Sequence, residues 1–333
     1  MTSSRASVLT PREVLGVFVE PNPFPETNEG AWRTRTIDGE TLGHGTLPHC
    51  ERIRLHHLTE TFGRGKVNVR LPTMGGKQLW ADVFVSCGWR IQEGVIDEHH
   101  RLLDPQDRRV SWGTFQECRV SFESQRLSLG LRPRSGHALV LLHGLIRAKE
   151  AMEPLSDAFT SAGYEVLNLN YPSTRRPIDA HADQLDLLLN QIWGVDTISF
   201  VTHSLGGIVV RAALAREAQW HRWIKVDRLL MIFPPSQGSE LALKWSDNPL
   251  ARAIWGPPLS ELAPQGQSLP PAPDHRFAII AGARDRTVGL EEARLSGAEA
   301  FHVMDVEHTF GMRDPEVIAT ALRYIDGGPL QPE

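Results

Sequence analysis

From residue 136 to the end of this 333-residue chain, apolar runs of strand length alternate with stretches of helical spacing. That alternation limits the possible folds more than any other feature. His137–Leu142, Glu165–Leu169, Thr197–Thr202, Arg228–Phe233, Phe277–Ala281 and Ala298–Val306 read as strands. Met152–Ala162, Pro177–Trp193, Gly207–Ala218 and Pro315–Ile325 read as helices. In the second helix Ile178, Leu185, Leu188, Leu189 and Ile192 share one face, and Pro177 suits a first turn. Strands separated by helices in this way build a mostly parallel sheet with right-handed crossovers, flanked by helices. The pattern breaks at residues 130–136, Gly-Leu-Arg-Pro-Arg-Ser-Gly. Before the break the chain is rich in Trp, Gly, Pro and Arg, with short alternations at Lys66–Leu71 and Gln78–Val85. The expected organisation is a β-rich or irregular extension over 1–133 and an α/β domain over 134–333. No internal repeat or low-complexity tract is evident at this level.

Composition removes several function classes. A net charge of −5 with no basic stripe argues against nucleic acid as a partner. No run approaches the ~18 apolar residues of a membrane span. The first twenty residues, broken by Pro11, Arg12 and Glu13, make a poor signal peptide, so a cytoplasmic location is expected. Cys50, Cys87 and Cys118 are too few and too irregular for a disulfide framework or a zinc site, although a Cys87–Cys118 pair stays open. The doublets His56-His57 and His99-His100 lack the spacing of a metal motif, and no metal is expected.

The chemistry gathers at the predicted strand ends, where open parallel sheets bind their ligands. Residues 199–207 read Ser-Phe-Val-Thr-His-Ser-Leu-Gly-Gly. An apolar strand that ends in a serine among small residues and opens into a helix has the form of a nucleophile elbow, G-x-S-x-G, here with Thr202 at the first glycine position. Ser204 is the candidate nucleophile, and it needs a base. His308, in Val306-Glu307-His308-Thr309-Phe310-Gly311, follows the last strand and is preferred as that base over His302, which lies within the strand. Asp285, in Gly282-Ala283-Arg284-Asp285-Arg286-Thr287-Val288, is preferred over Asp305 as the acid that orients the histidine. His143-Gly144-Leu145 closes the first strand of the alternating region, and the N–H groups of Leu145 and Leu205 are the candidate oxyanion donors.

These segments together resemble bacterial α/β-hydrolases of the lipase/esterase type. The resemblance rests on Val140-Leu-Leu-His-Gly-Leu145, Tyr164 to Tyr171-Pro172-Ser173-Thr174, Val201-Thr-His-Ser-Leu-Gly-Gly207, Phe233-Pro-Pro-Ser-Gln-Gly-Ser-Glu240 and Glu307-His308-Thr309-Phe310, in that order. It spans about residues 137–327. It implies the α/β-hydrolase fold, a Ser204-His308-Asp285 triad, and hydrolysis of carboxylic esters without metal or organic cofactor. Members of the group accept threonine before the elbow's His-Ser pair. The second glycine of a longer H-G-x-x-G loop is replaced here by Arg147.

Residues 237–276 are too long for a simple connection between strands. Trp245, Leu250, Ile254 and Trp255 suggest a short amphipathic helix stopped by Gly256-Pro257-Pro258, giving a cap at about 240–275. His143, Trp245 and Trp255 are the candidate substrate contacts, and the absence of a long apolar lid favours short- to medium-chain acyl groups in a small-molecule or lipid-like ester. An acyltransferase or amidase would carry the same triad, and a non-catalytic binding protein could share the fold. In the extension, Trp80, Trp89 and Trp112 fit either a ligand surface or a core, and a core is the commoner use.

Overall fold

The computed structural model describes residues 12–23, 30–63, 66–67, 77–96, 99–132, 136–192, 194–263 and 269–330. The chain divides into two compact units, one of Met1–Thr73 with His99–Arg132 and one of Met74–Glu98 with Pro133–Glu333. Residues 74–98, grouped with the extension on sequence, thus belong to the unit that holds the parallel sheet.

The first unit carries the antiparallel strands β1 (Arg12–Val14), β2 (Val17–Pro21), β3 (Trp32–Thr36) and β4 (Thr41–Gly45), followed by helix α1 (Leu47–Phe62) and the short strand β5 (Lys66–Val67). In the second unit, β6 (Trp80–Ser86) and β7 (Trp89–Gly94) form a hairpin. The first unit resumes with β8 (His100–Leu103), β9 (Arg109–Gly113) and helix α2 (Phe115–Ser128). In chain order, four strands and then a helix occur twice, with β5 between the two runs. Both runs open with a hairpin whose two turn residues have positive φ, Leu15-Gly16 (48° and 78°) and Cys87-Gly88 (53° and 78°). Both end in a helix capped by Gly-Thr, and the Thr46 and Thr114 carbonyls accept from the N–H of Cys50 and Cys118 at 3.0 Å. Among the described residues no disulfide forms. Trp89 is buried in β7.

The two long helices were not expected, and their buried faces explain why. Helix α1 buries Cys50, Glu51, Arg54 and Leu58, and α2 buries Arg119, Glu123 and Arg126 beside Cys118, Val120 and Phe122. Glu123 meets Arg119 at 3.0 Å, Arg126 at 2.7 Å and Arg54 at 3.7 Å. Burial alone would raise the Glu123 pKa, but the surrounding arginines outweigh it and hold the carboxyl below its ordinary range. Charges at inward positions erase the apolar period that marks a helix in sequence.

The second unit continues through β10 (Gly136–Leu142), α3 (Glu153–Ser161), β11 (Glu165–Leu169), α4 (Ile178–Leu189), β12 (Val195–His203), α5 (Leu205–Leu214), β13 (Lys225–Ile232), α6 (Glu240–Ser246), α7 (Pro249–Trp255), α8 (Pro257–Glu261), β14 (Arg276–Gly282), α9 (Leu290–Ala293), β15 (Ala300–Met304) and α10 (Pro315–Ile325). Six of these strands form one parallel sheet in the order β11-β10-β12-β13-β14-β15. Its faces separate by the period of two: Ala138, Val140 and Leu142 of β10 pack with residues of α4 and α5, whereas Leu139 and Leu141 pack with residues of α3 and α10. Cover on both faces explains the near-continuous apolar strands. This is the topology of the α/β-hydrolase fold. The order reverses between β11 and β12 around β10, so the carboxyl ends of β10 and β12 form the switch point at which open sheets of this kind bind their ligands. Among the described residues no helix is long and apolar enough to cross a membrane, and no group of three or more His, Cys, Asp or Glu side chains is arranged to hold a metal ion.

Candidate active site

Ser204 occupies the one-residue turn between β12 and α5, with φ 51° and ψ −120°. A non-glycine residue at positive φ is strained by ~1–3 kcal/mol and persists only where its surroundings fix it. Here the Ser204 N–H donates to the Ile232 carbonyl at 2.9 Å, and its own carbonyl accepts from Gly207 at 3.0 Å. Thr202 fits the first glycine position because it is fully buried and its hydroxyl donates to the Leu230 carbonyl at 3.4 Å. Gly206 is required by space: a Cβ there would lie 2.6 Å from the Leu142 carbonyl oxygen.

The loop after β10 presses against this turn. A Cβ on Gly144 would sit 2.6 Å from Nδ1 of His203 and 3.1 Å from Cβ of Ser204. Glycine is what lets residues 143–145 reach the serine. Leu205 is the first residue of α5, so its N–H has no partner within the helix. Among the described residues no carbonyl accepts the Leu145 N–H either.

His143 lies beneath this loop, fully buried. Its ring stacks on Tyr171 with centroids 4.3 Å apart. Burial lowers its pKa to about 4, so it is neutral at pH 7. Nδ1–H then donates to the Gly144 carbonyl at 2.8 Å, and Nε2 accepts from the Tyr171 N–H at 3.4 Å. The Tyr171 hydroxyl donates to the His143 carbonyl at 2.6 Å. His143 therefore holds the loop from below and exposes no atom to a substrate, unlike the contact expected of it on sequence.

Asp285 follows β14, and His308 follows β15. His308 Nδ1 donates to Asp285 Oδ2 at 2.7 Å, while Asp285 Oδ1 accepts from the N–H groups of Thr287 and Val288 at 2.7 and 2.9 Å. The Asp285 side chain is 1% exposed and that of His308 12%. With Nδ1 carrying the proton, Nε2 of His308 is left as the acceptor. The rival Asp305 is 82% exposed and pairs with Arg284 at 2.9 Å. His302 lies within β15.

Three further residues hold the loops around the serine turn, His203 and Phe233 on the histidine loop and Ser173 on the loop after β10. His203, directly before Ser204, donates from Nε2 to the His308 carbonyl at 3.0 Å, with ring centroids 4.9 Å apart. Burial first, and His308 beside it second, drive its pKa well below the ordinary histidine value. Phe233, at φ 53° after β13, packs its ring 5.8 Å from that of His308. Ser173, fully buried after β11, accepts from the Ile146 N–H at 3.0 Å. Only His203 had a visible cue, its place next to the serine.

The cap region consists of α6, α7 and α8, rather than the one helix expected. Bonds and close packing join it to loops at the carboxyl edge of the sheet. The Ser239 hydroxyl donates to the Thr287 carbonyl at 3.3 Å, and Gly256 packs against the Thr174 carbonyl too closely for any side chain. Trp245 and Trp255 meet edge to face at 6.0 Å. Leu241, Trp245, Leu250 and Ile254 are exposed on this layer, as are Ile146 and Phe310 on the loops beside Ser204 and His308.

No protein-family model matches the chain, and no curated protein matches it in sequence. Its structure is similar to solved structures that include a mature lipase of Bacillus licheniformis, 18% identical over 57% of this chain and 89% of that one, with a TM-score of 0.44. Others are a methylesterase from Arabidopsis, 18% identical over 57% and 98% with a TM-score of 0.40, and an esterase from Thermogutta terrifontis, 16% identical over 57% and 89% with a TM-score of 0.40.

Proposed function

We propose that this protein is a serine hydrolase of carboxylic esters with Ser204, His308 and Asp285 as its triad. The observation that carries the reading is the 2.7 Å bond from His308 to the buried Asp285, on a loop that is itself bonded to the residue before Ser204. His308 Nε2 takes the Ser204 hydroxyl proton as Oγ attacks the ester carbonyl carbon. Asp285 orients the ring and stabilises the imidazolium. The oxyanion is held by the N–H groups of Leu145 and Leu205, each such donor contributing a factor of about 10²–10³ in rate. Collapse of the tetrahedral species breaks the carbonyl–alkoxide bond, and His308 gives its proton to the departing alcohol. Water, deprotonated by the same nitrogen, then attacks the acyl-enzyme and frees the acid.

The exposed apolar side chains of Ile146 and Phe310, with Trp245 and Trp255 on the cap, support an apolar acyl or alcohol group of short to medium length. The test is hydrolysis of p-nitrophenyl esters of increasing acyl length by the full chain and by Ser204→Ala. We expect turnover with a chain-length optimum in the wild type and none above background in the folded variant. Undiminished turnover by Ser204→Ala would remove the serine from the mechanism.

A further inference from the structure

The turn that carries the Leu145 N–H is built on an expensive conformation. It is closed by the Arg147 N–H donating to the Gly144 carbonyl at 3.2 Å, and its third residue is Ile146 at φ 66°. Glycine is the usual occupant of such a position, and a β-branched residue there is an outlier that its surroundings must enforce. The enforcing group comes from the segment before β6. The Gln78 amide spans the turn: Nε2 donates to the Arg147 carbonyl at 2.6 Å, and Oε1 accepts from the Thr174 N–H at 3.0 Å, the Thr174 hydroxyl at 3.0 Å and the Ser173 hydroxyl at 3.2 Å. A carbonyl on one side and a backbone N–H on the other fix which way the amide points. Ser173 completes the chain, because its oxygen accepts from the Ile146 N–H while its proton goes to Gln78.

The segment that bears Gln78 is itself anchored. Asp82 is fully buried and accepts from the Asn170 N–H at 2.8 Å, Gln92 at 2.7 Å and Arg90 at 2.6 Å. Asn170 Nδ2 donates to the carbonyls of Lys77 and Trp80 on either side of Gln78, at 3.1 and 2.9 Å. Lys77 pairs with Glu150 at 2.5 Å. A flexible surface glutamine would hold nothing, but one placed between two anchored neighbours acts as a fixed strut.

We infer that Gln78 is a positioning residue for the oxyanion turn: through Arg147 and the Ser173 relay it holds Ile146 at positive φ and so aims the Leu145 N–H. This rests on the hydrolase reading above. It gives the segment ahead of the α/β sheet a part in the chemistry, although Gln78 touches no substrate.

The experiment compares full-length wild type, Gln78→Ala, Gln78→Glu and Ser173→Ala in ester hydrolysis, in labelling by a small fluorophosphonate, and in thermal unfolding. Glutamate keeps the acceptor but loses the Nε2 donor to Arg147. We expect Gln78→Ala to lower kcat and the labelling rate constant by at least ten-fold, with KM within two-fold and Ser204 still the labelled residue. Gln78→Glu should fall by a similar factor, and Ser173→Ala combined with Gln78→Ala should cost less than the product of the two single effects. Acylation by folded Gln78→Ala within two-fold of wild type, or a loss that appears in KM alone, overturns the inference while leaving the triad in place. A folded wild type that neither labels at Ser204 nor turns over any ester removes the hydrolase reading, and the role of Gln78 with it.

Discussion

A chain cut to residues 131–333 would retain every strand of the parallel sheet and all three candidate triad residues, yet we expect it not to fold. The cut removes the helical turn at residues 77–79 and the β6–β7 hairpin, which the full chain joins to the sheet-bearing part through Asp82, Gln78, Lys77, Trp80, Val83, Arg90 and Glu93. These make about a dozen hydrogen bonds, and at a net ~0.5–1.5 kcal/mol each their loss is worth about 10 kcal/mol. Val85 of the same hairpin also packs in the core shared with β10, β11 and α4. A loss of that size matches the whole net stability of a typical domain, ~5–15 kcal/mol. The assay is expression of the fragment beside the full chain, followed by urea unfolding watched by tryptophan fluorescence. The expected result is insoluble fragment, or soluble fragment without a cooperative transition. A soluble fragment that unfolds cooperatively within about 2 kcal/mol of the full chain would refute the reasoning and make everything before residue 131 dispensable to the fold.

Two other outcomes follow from the site. Asp285→Asn should lower kcat for ester hydrolysis by about 10³–10⁴, because the amide offers the wrong hydrogen-bonding partner to Nδ1–H of His308, while Asp305→Asn at the exposed rival should leave kcat unchanged; equal effects in steady-state assays would dissolve the assignment. Buried, neutral His143 has a pKa lowered from 6.5 to about 4, so the unfolded chain takes up a proton in this window that the native state refuses, and the histidine's share of stability is present above pH 6.5 and lost as pH falls toward 4. Urea titrations between pH 7 and 4 should show His143→Gln losing ~2–3 kcal/mol less stability than wild type over that interval, and parallel curves would contradict a neutral buried ring.

What the sequence made legible is what periodicity and local turn chemistry encode. The strands of the parallel sheet emerge because each is apolar over its whole length, and β11 and α10 have the bounds expected of them, Glu165–Leu169 and Pro315–Ile325. The catalytic candidates were legible because they fall at strand ends, where parallel sheets of this kind bind their ligands. What stayed hidden depends on contacts between distant residues. Helices α1 and α2 bury arginine and glutamate against one another, so their inward faces look polar, although Thr114 and Glu117 form a capping box that announces the second. The place of Gln78 is set by Asn170 and Thr174, over ninety residues away, and no local pattern records it. His143 reads as a pocket residue because it sits in the candidate oxyanion loop, but its side chain is fully buried against Tyr171 beneath that loop.

The central claim is that Ser204 is an activated nucleophile. The most direct measurement is incubation of the folded full-length protein with a fluorophosphonate, then peptide mapping by mass spectrometry and an ester-hydrolysis assay of the same sample. The account predicts a single modified peptide carrying the adduct on Ser204, with hydrolysis lost in proportion to labelling. An adduct on another residue, or hydrolysis that survives complete labelling of Ser204, would contradict it.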